Sequence, residues 1–196
     1  MDELAKHTIE RRDARELLLG ELREHALILG EVTLTSGAKA DYYVDAKRAI
    51  LRPTGFGALA RLLAMQAEEW EATAVGGMTM GADPVACAAL AGGAAVKVFF
   101  VRKETKSHGL QRRIEGPLLD LEDRCLVVED VVTTGGSTLA AIQALQDAEH
   151  TICGVVSVLD RLAGGGEAIE RAAGAPYVAL TTIDEVHPER KDRDRG

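Results

Sequence analysis

Cys125-Leu126-Val127-Val128-Glu129-Asp130-Val131-Val132-Thr133-Thr134-Gly135-Gly136-Ser137-Thr138 constrains the fold more than any other stretch of the chain. An apolar run with strand character ends on two adjacent carboxylates, and a turn of hydroxyl residues and glycines then opens a helix. A strand so uniformly apolar belongs inside a parallel sheet covered by helices on both faces. The two glycines let the backbone approach an anion closely. Unpaired N–H groups at the helix start, reinforced by the helix dipole, bind a phosphate without needing a cation. Hydroxyls of Thr133, Thr134, Ser137 and Thr138 supply further donors. Glu129 and Asp130 fall where the strand leaves the sheet, the place where open α/β folds hold their ligands. Carboxylates accept hydrogen bonds from vicinal hydroxyls, so a ribose lying beside a bound 5′-phosphate satisfies both features together. A turn that only capped a helix would use the hydroxyls and leave the paired acids unexplained. The chain has no GxxxxGK[ST] and no strand-borne GxGxxG.

Elsewhere the hydrophobic periodicity alternates between strand and helix. Leu17, Leu18, Leu22, Leu27 and Leu29 predict an amphipathic helix over 10–29, closed by Gly30. Short strands are expected at Val32-Thr33-Leu34 and Tyr42-Tyr43-Val44. Helices are expected over 54–70, 83–91 and 137–147, and strands over 72–75, 96–101, 125–129, 152–159 and 177–180. The expected fold is α/β, a doubly wound and mainly parallel sheet flanked by helices. One domain spans 1–196: an N-terminal helix and small hood over about 1–45, an α/β core over about 46–184, and a frayed tail over 187–196. Residues 102–116 are polar and lack a core-facing period, the mark of either a functional lid or a disordered segment.

Charge and composition narrow the function. With 23 basic and 31 acidic side chains the net charge is −8, which argues against a general nucleic-acid surface. No apolar run approaches the roughly 20 residues of a membrane span. The N-terminal MDELAKHTIERRDARE is too charged for a secretory signal. Cys87, Cys125 and Cys153 sit in apolar segments and form no CxxC pair, so they are expected as reduced packing thiols in a cytoplasmic protein.

Val128 through Ser137 resembles the phosphoribosyl-pyrophosphate (PRPP) signature of type I phosphoribosyltransferases. The resemblance implies that the turn holds the 5′-phosphate and that Glu129 and Asp130 address the ribose 2′- and 3′-hydroxyls. It also implies Mg²⁺, bound mainly through PRPP and water rather than by protein ligands.

A second motif narrows the family. Arg102-Lys103-Glu104-Thr105-Lys106-Ser107-His108-Gly109 opens a segment, 102–113, with five basic residues and one acid in an otherwise acidic chain. Lysines closing over a pyrophosphate would stabilise the charge that develops on it. The run resembles the R-K-x-x-K-x-H-G motif of orotate phosphoribosyltransferases, whose mobile loop covers PRPP and reaches the neighbouring subunit's site, so a homodimer is implied. Val32-Thr33-Leu34-Thr35-Ser36-Gly37-Ala38-Lys39 with Tyr42-Tyr43-Val44-Asp45 is similar to the family's N-terminal segment. Asp160-Arg161-Leu162-Ala163-Gly164-Gly165 matches its D-R-x-x-G-G, in which the arginine contacts orotate with Thr133 nearby. A guanidinium fork suits a planar anionic heterocycle.

Carried onto this chain, the resemblance assigns catalysis to Lys103, Lys106, His108 and Asp130. It assigns PRPP binding to Arg102, Lys103, Lys106, His108, Glu129, Asp130, Val131, Val132, Thr133, Thr134, Gly135, Gly136 and Ser137, and orotate binding to Thr133 and Arg161. The implied reaction moves the phosphoribosyl group of PRPP to orotate, in pyrimidine biosynthesis, with no nucleic-acid or membrane partner. Gly76 to Asp83 stands in the place of the pyrophosphate loop but lacks the lysine that some relatives carry near Met80, and a second is missing near Thr35. Two other activities share the PRPP signature: transfer to a purine or uracil, and PRPP sensing by a transcriptional regulator. The latter would add a DNA-binding module, and the N-terminal segment has no helix-turn-helix pattern.

Overall fold

The computed structural model describes residues 3–33, 39–103 and 113–190. Helix α1 (Glu3–Glu21) runs through one π-helical turn (Leu22–Ala26) into an antiparallel pair, β1 (Leu27–Thr33) and β2 (Lys39–Val44), which stands apart as the hood. A short helix α2 (Lys47–Ile50) and a long helix α3 (Pro53–Glu69) follow. The core then alternates β3 (Ala74–Met78), α4 (Ala82–Ala91), β4 (Lys97–Val101), β5 (Ile114–Glu115), β6 (Arg124–Val132) and α5 (Gly136–Asp147). It finishes with β7 (Thr151–Asp160), α6 (Gly165–Ala173), β8 (Tyr177–Thr182) and α7 (Ile183–Val186).

The central sheet has the order β5-β4-β3-β6-β7-β8 and is parallel except for β5, the antiparallel edge. Its strands are apolar because both faces are covered, and the period of two divides them. Leu126 and Val128 join Val75, Val156 and Val158 against Leu59, Leu63, Val85 and Ala89 of α3 and α4. Cys125 and Val127 face the other way, with Phe99 and Val155, against Ile142, Leu145 and Ile169 of α5 and α6. From β3 the chain moves outward to β4, whereas from β6 it moves the opposite way through β7 to β8. The C-terminal ends of β3 and β6 therefore flank the switch point of the sheet, where a crevice opens by topology alone.

Two sequence expectations are corrected. Leu27 and Leu29 belong to β1, paired with Val44 and Tyr42, and not to the helix predicted through residue 29. Their spacing fits a helix, but pairing with the Tyr-rich β2 strand wins. Gly30, at φ +123°, sits beside the register shift between Leu29 and Val32, so it forms a bulge in a strand and does not cap a helix. Within the tail 187–196, expected to fray, two described residues are held while Pro188 and Glu189 are exposed: the His187 ring meets Tyr42 edge-on at 5.1 Å, and Arg190 Nε donates to Asp184 at 2.6 Å. The segment 102–116 is anchored at both stems, since Arg102 N donates to Arg113 O at 2.8 Å and Ile114–Glu115 pairs with Phe100 and Val101.

Candidate active site

Strand β6 carries both acids into the crevice. Glu129 and Asp130 are 4% and 8% exposed, a degree of burial that charged groups tolerate only with partners. Thr138 Oγ1 donates to Glu129 Oε2 at 3.1 Å, and Asp130 N donates to Glu129 Oε1 at 3.3 Å. Asp130 accepts Val131 N on Oδ1 at 2.8 Å and Lys47 Nζ on Oδ2 at 3.0 Å. Burial, and then the adjacent Asp130 charge, pushes the Glu129 carboxyl well above the ordinary carboxylate range. Burial acts to lower the Lys47 pKa, but hydrogen bonds from Lys47 to Asp45 and Asp130 outweigh it and keep the ammonium charged.

Beyond Val132 the chain makes the turn that opens α5. Gly135 adopts φ +81°, a conformation suited to glycine, and among the described residues no side chain caps the helix. The helical bonding begins with Leu139 N donating to Gly135 O at 2.8 Å, so the preceding N–H groups of Gly136, Ser137 and Thr138 have no intrahelical acceptor. Thr133, Thr134, Gly136 and Ser137 are exposed around them, whereas Thr138 is buried. Thr138 was expected among the phosphate donors; its hydroxyl is spent on Glu129. The N–H of Val131 is likewise taken by Asp130, and the carbonyl of Val132 accepts Arg161 N at 2.8 Å. The start of α6 backs the turn so closely that a Cβ on Gly165 would lie 2.5 Å from Thr133 O and 2.9 Å from Gly135 N. On the opposite side, the turn after β3 crosses Asp130: a Cβ on Gly81 would lie 2.5 Å from Asp130 Oδ1. That turn is braced by Thr79, which donates from N to Val101 O and from Oγ1 to Asp83. Met78 is buried, while Met80 is 71% exposed beside it.

Strand β7 delivers a second group. Asp160 accepts Leu162 N at 2.7 Å and Tyr177 OH at 2.9 Å, and the Tyr177 oxygen also meets Ser157 Oγ at 2.7 Å. This network shapes the bend on which Arg161 stands. The Arg161 guanidinium lies 5.3 Å from the centroid of the Tyr42 ring, and Nη2 donates to Tyr42 OH at 3.4 Å. Its Nε is buried and has no hydrogen-bond partner among the described residues, an unspent donor in the fork that planar anions match.

Of the basic loop, Arg102 reaches Glu115 at 3.4 Å across the two stems and Lys103 is exposed; Lys106 and His108 lie outside the described residues. Sequence reasoning missed Lys47, which no motif marked, and gave Asp45 no role beyond its place in the N-terminal segment. It also took Cys87 for a packing thiol, but Cys87 is exposed. Among the described residues no cluster of three or more His, Cys, Asp or Glu is placed to hold a metal. Glu129 and Asp130 fit a hard cation that brings phosphate oxygens and water as its other ligands.

No family model matches the chain. Its curated relatives include an orotate phosphoribosyltransferase from Corynebacterium glutamicum, 46% identical over 175 residues that make up 89% of this chain and 94% of that protein. The fold is similar to that of Mycobacterium tuberculosis orotate phosphoribosyltransferase solved with Fe(III) dicitrate, with a TM-score of 0.79 and 41% identity over 89% of this chain and 99% of that one. The same enzyme solved with PRPP gives a TM-score of 0.74 and 37% identity, covering 88% of this chain and 98% of that one. Among the described residues no helix is long and apolar enough to cross a membrane.

Proposed function

The chain belongs to the orotate phosphoribosyltransferase family, and on that premise we propose how its residues transfer the phosphoribosyl group of PRPP to orotate, giving orotidine 5′-phosphate and pyrophosphate. One observation carries the proposal. The uncapped start of α5, the buried Glu129–Asp130 pair and Arg161 converge at two neighbouring strand ends, tied together by the Arg161 N to Val132 O bond of 2.8 Å. The 5′-phosphate sits on the N–H groups of Gly136 and Ser137, with the hydroxyls of Thr133, Thr134 and Ser137 around it. Glu129 and Asp130 accept the ribose hydroxyls.

Cleavage at C1 leaves the ribose with oxocarbenium character and pyrophosphate with increasing negative charge. The acid pair favours the first, since carboxylate charge beside the ribose stabilises positive charge developing on it. Arg102, Lys103, Lys106 and His108 favour the second. Held beside Glu129 and Asp130 mainly through PRPP and water, Mg²⁺ would supply neutralisation of part of the pyrophosphate charge. Arg161 and Thr133 hold orotate so that N1 attacks the face opposite the leaving group, and the cost of bringing the reactants together is met by binding. No protein nucleophile takes part. The enzyme works in the cytoplasm as a homodimer in which each basic loop serves the partner's site; the three cysteines, none of them in a disulfide, are in keeping with a reducing compartment.

The test is a base panel. With PRPP and Mg²⁺ fixed, orotate, uracil, adenine and hypoxanthine are compared by pyrophosphate release. Orotate should exceed the others in kcat/KM by at least about a hundredfold, since only it offers a carboxylate to Arg161. Turnover of another base with none of orotate would end this assignment.

A further inference from the structure

Asp45, Lys47 and Asp130 form a chain of charge of which the scheme above uses only Asp130. Lys47 opens α2, and its Nζ lies 2.9 Å from Asp45 Oδ1 and 3.0 Å from Asp130 Oδ2. Asp45 is itself fixed at the end of the hood, donating its N–H to Ala26 O at 3.0 Å and accepting Lys47 N on Oδ1 at 3.2 Å. One ammonium therefore joins the hood, which presents Tyr42 to Arg161, to the strand that carries the acid pair.

Charge decides what this lysine can do. Two carboxylates already compensate it, so it is not an anion-seeking cation like those of the basic loop. Its geometry is that of a strut. Asp130 is held by one bond on each oxygen, from Val131 N and from Lys47 Nζ, and that fixes the carboxylate plane. Among the described residues no other lysine or arginine pairs with Glu129 or Asp130. Without the ammonium, two adjacent buried acids would face each other uncompensated, and Asp130 would be free to turn away from the ribose.

We propose that Lys47 is a positioning residue for phosphoribosyl transfer, locking the Asp130 carboxylate against the ribose and coupling the hood to the PRPP strand. The proposal rests on the PRPP assignment above. It ranks Lys47 apart from surface ion pairs such as Lys39–Glu31, which is about two-thirds exposed on both sides and tied to neither acid.

The test compares Lys47→Met, which keeps most of the apolar stem, with Lys47→Arg, whose fork can still bridge two carboxylates. Steady-state kinetics and thermal midpoints are measured for both beside the unsubstituted enzyme. Lys47→Met should lower kcat at least about tenfold while the KM for orotate moves less than about threefold; Lys47→Arg should return kcat to within about threefold. Two results overturn the proposal: Lys47→Met with unchanged kcat and only a lowered midpoint, or Lys47→Arg as slow as Lys47→Met. Should Lys47→Met fail to fold, Lys47→Gln is read by the same criteria. Orotate turnover by the unsubstituted enzyme separates the two levels, because its absence would sink the family reaction, whereas its presence with fully active Lys47→Met sinks only the strut.

Discussion

Glu129 shows what the site demands of single residues. It is 4% exposed and lies beside a second acid, an arrangement that stability alone would not select. Burial first, then the Asp130 charge, raises its folded pKa above the roughly 4.3 of an unfolded glutamate. Below that ordinary value both states are protonated and the group costs nothing. As pH rises the unfolded state ionises first, so stability is lost progressively until the folded carboxyl also ionises, and the full penalty persists above that point. Glu129→Gln should therefore melt a few degrees above the parent protein at pH 9 and level with it near pH 4, while turning over more slowly; melting curves that run parallel across this range would contradict the burial argument. The acid pair was legible in the sequence because it stands at a strand end before a glycine turn. Thr138 was misassigned because its hydroxyl, one helical step past the turn, points back to Glu129. Lys47 could not be read at all, since its partner Asp130 lies 83 residues away and only the folded sheet brings them together.

At the scale of elements, the phosphate turn depends on a helix that the sequence analysis did not assign. Helix α6 starts at Gly165 with its backbone against Thr133 O and Gly135 N, and Ile169 from the same helix packs on Gly135. Gly165→Ala would place a methyl 2.5 Å from Thr133 O, against backbone that cannot move without opening the turn. It should raise the KM for PRPP at least about tenfold and cost about 1–3 kcal/mol of stability. An unchanged KM for PRPP in steady-state kinetics would show that α6 does not set the turn. Strands β4, β6, β7 and β8 were located because burial on both faces makes them mostly apolar, a local signal that needs no tertiary context, whereas β3 runs Ala74–Met78 and not 72–75 and the two-residue β5 was missed. The start of β1 was not located, because Leu27 and Leu29 suit either a helix or a strand, and the choice is made by pairing with Val44 and Tyr42. Helix α6 escaped notice because it begins on glycines, which as a sequence pattern look like the continuation of a loop.

Across the whole molecule, the sheet order makes the site. Chain reversal between β3 and β6 leaves their C-terminal ends side by side, and β7 adds Arg161 one strand further on. Charge is divided unevenly along the sequence: the chain carries −8 overall, yet five of its basic residues and one acid fall within 102–113, and Val101, just before that segment, accepts Thr79 N of the turn after β3. An acidic body with a local basic segment suits a small polyanion and disfavours a long one. All of this rests on the α5 turn as the seat of the 5′-phosphate. Gly136 is exposed, and a Cβ added there meets no atom within 4 Å, so Gly136→Asp is free to fold. Its carboxylate in the first turn also complements the helix dipole. Titration of PRPP into this variant tests the claim most directly. The melting temperature should be unchanged or higher and PRPP affinity at least about a hundredfold weaker, because a fixed anion would occupy the phosphate's place. PRPP binding within about twofold of the parent protein, on an intact fold, would contradict it.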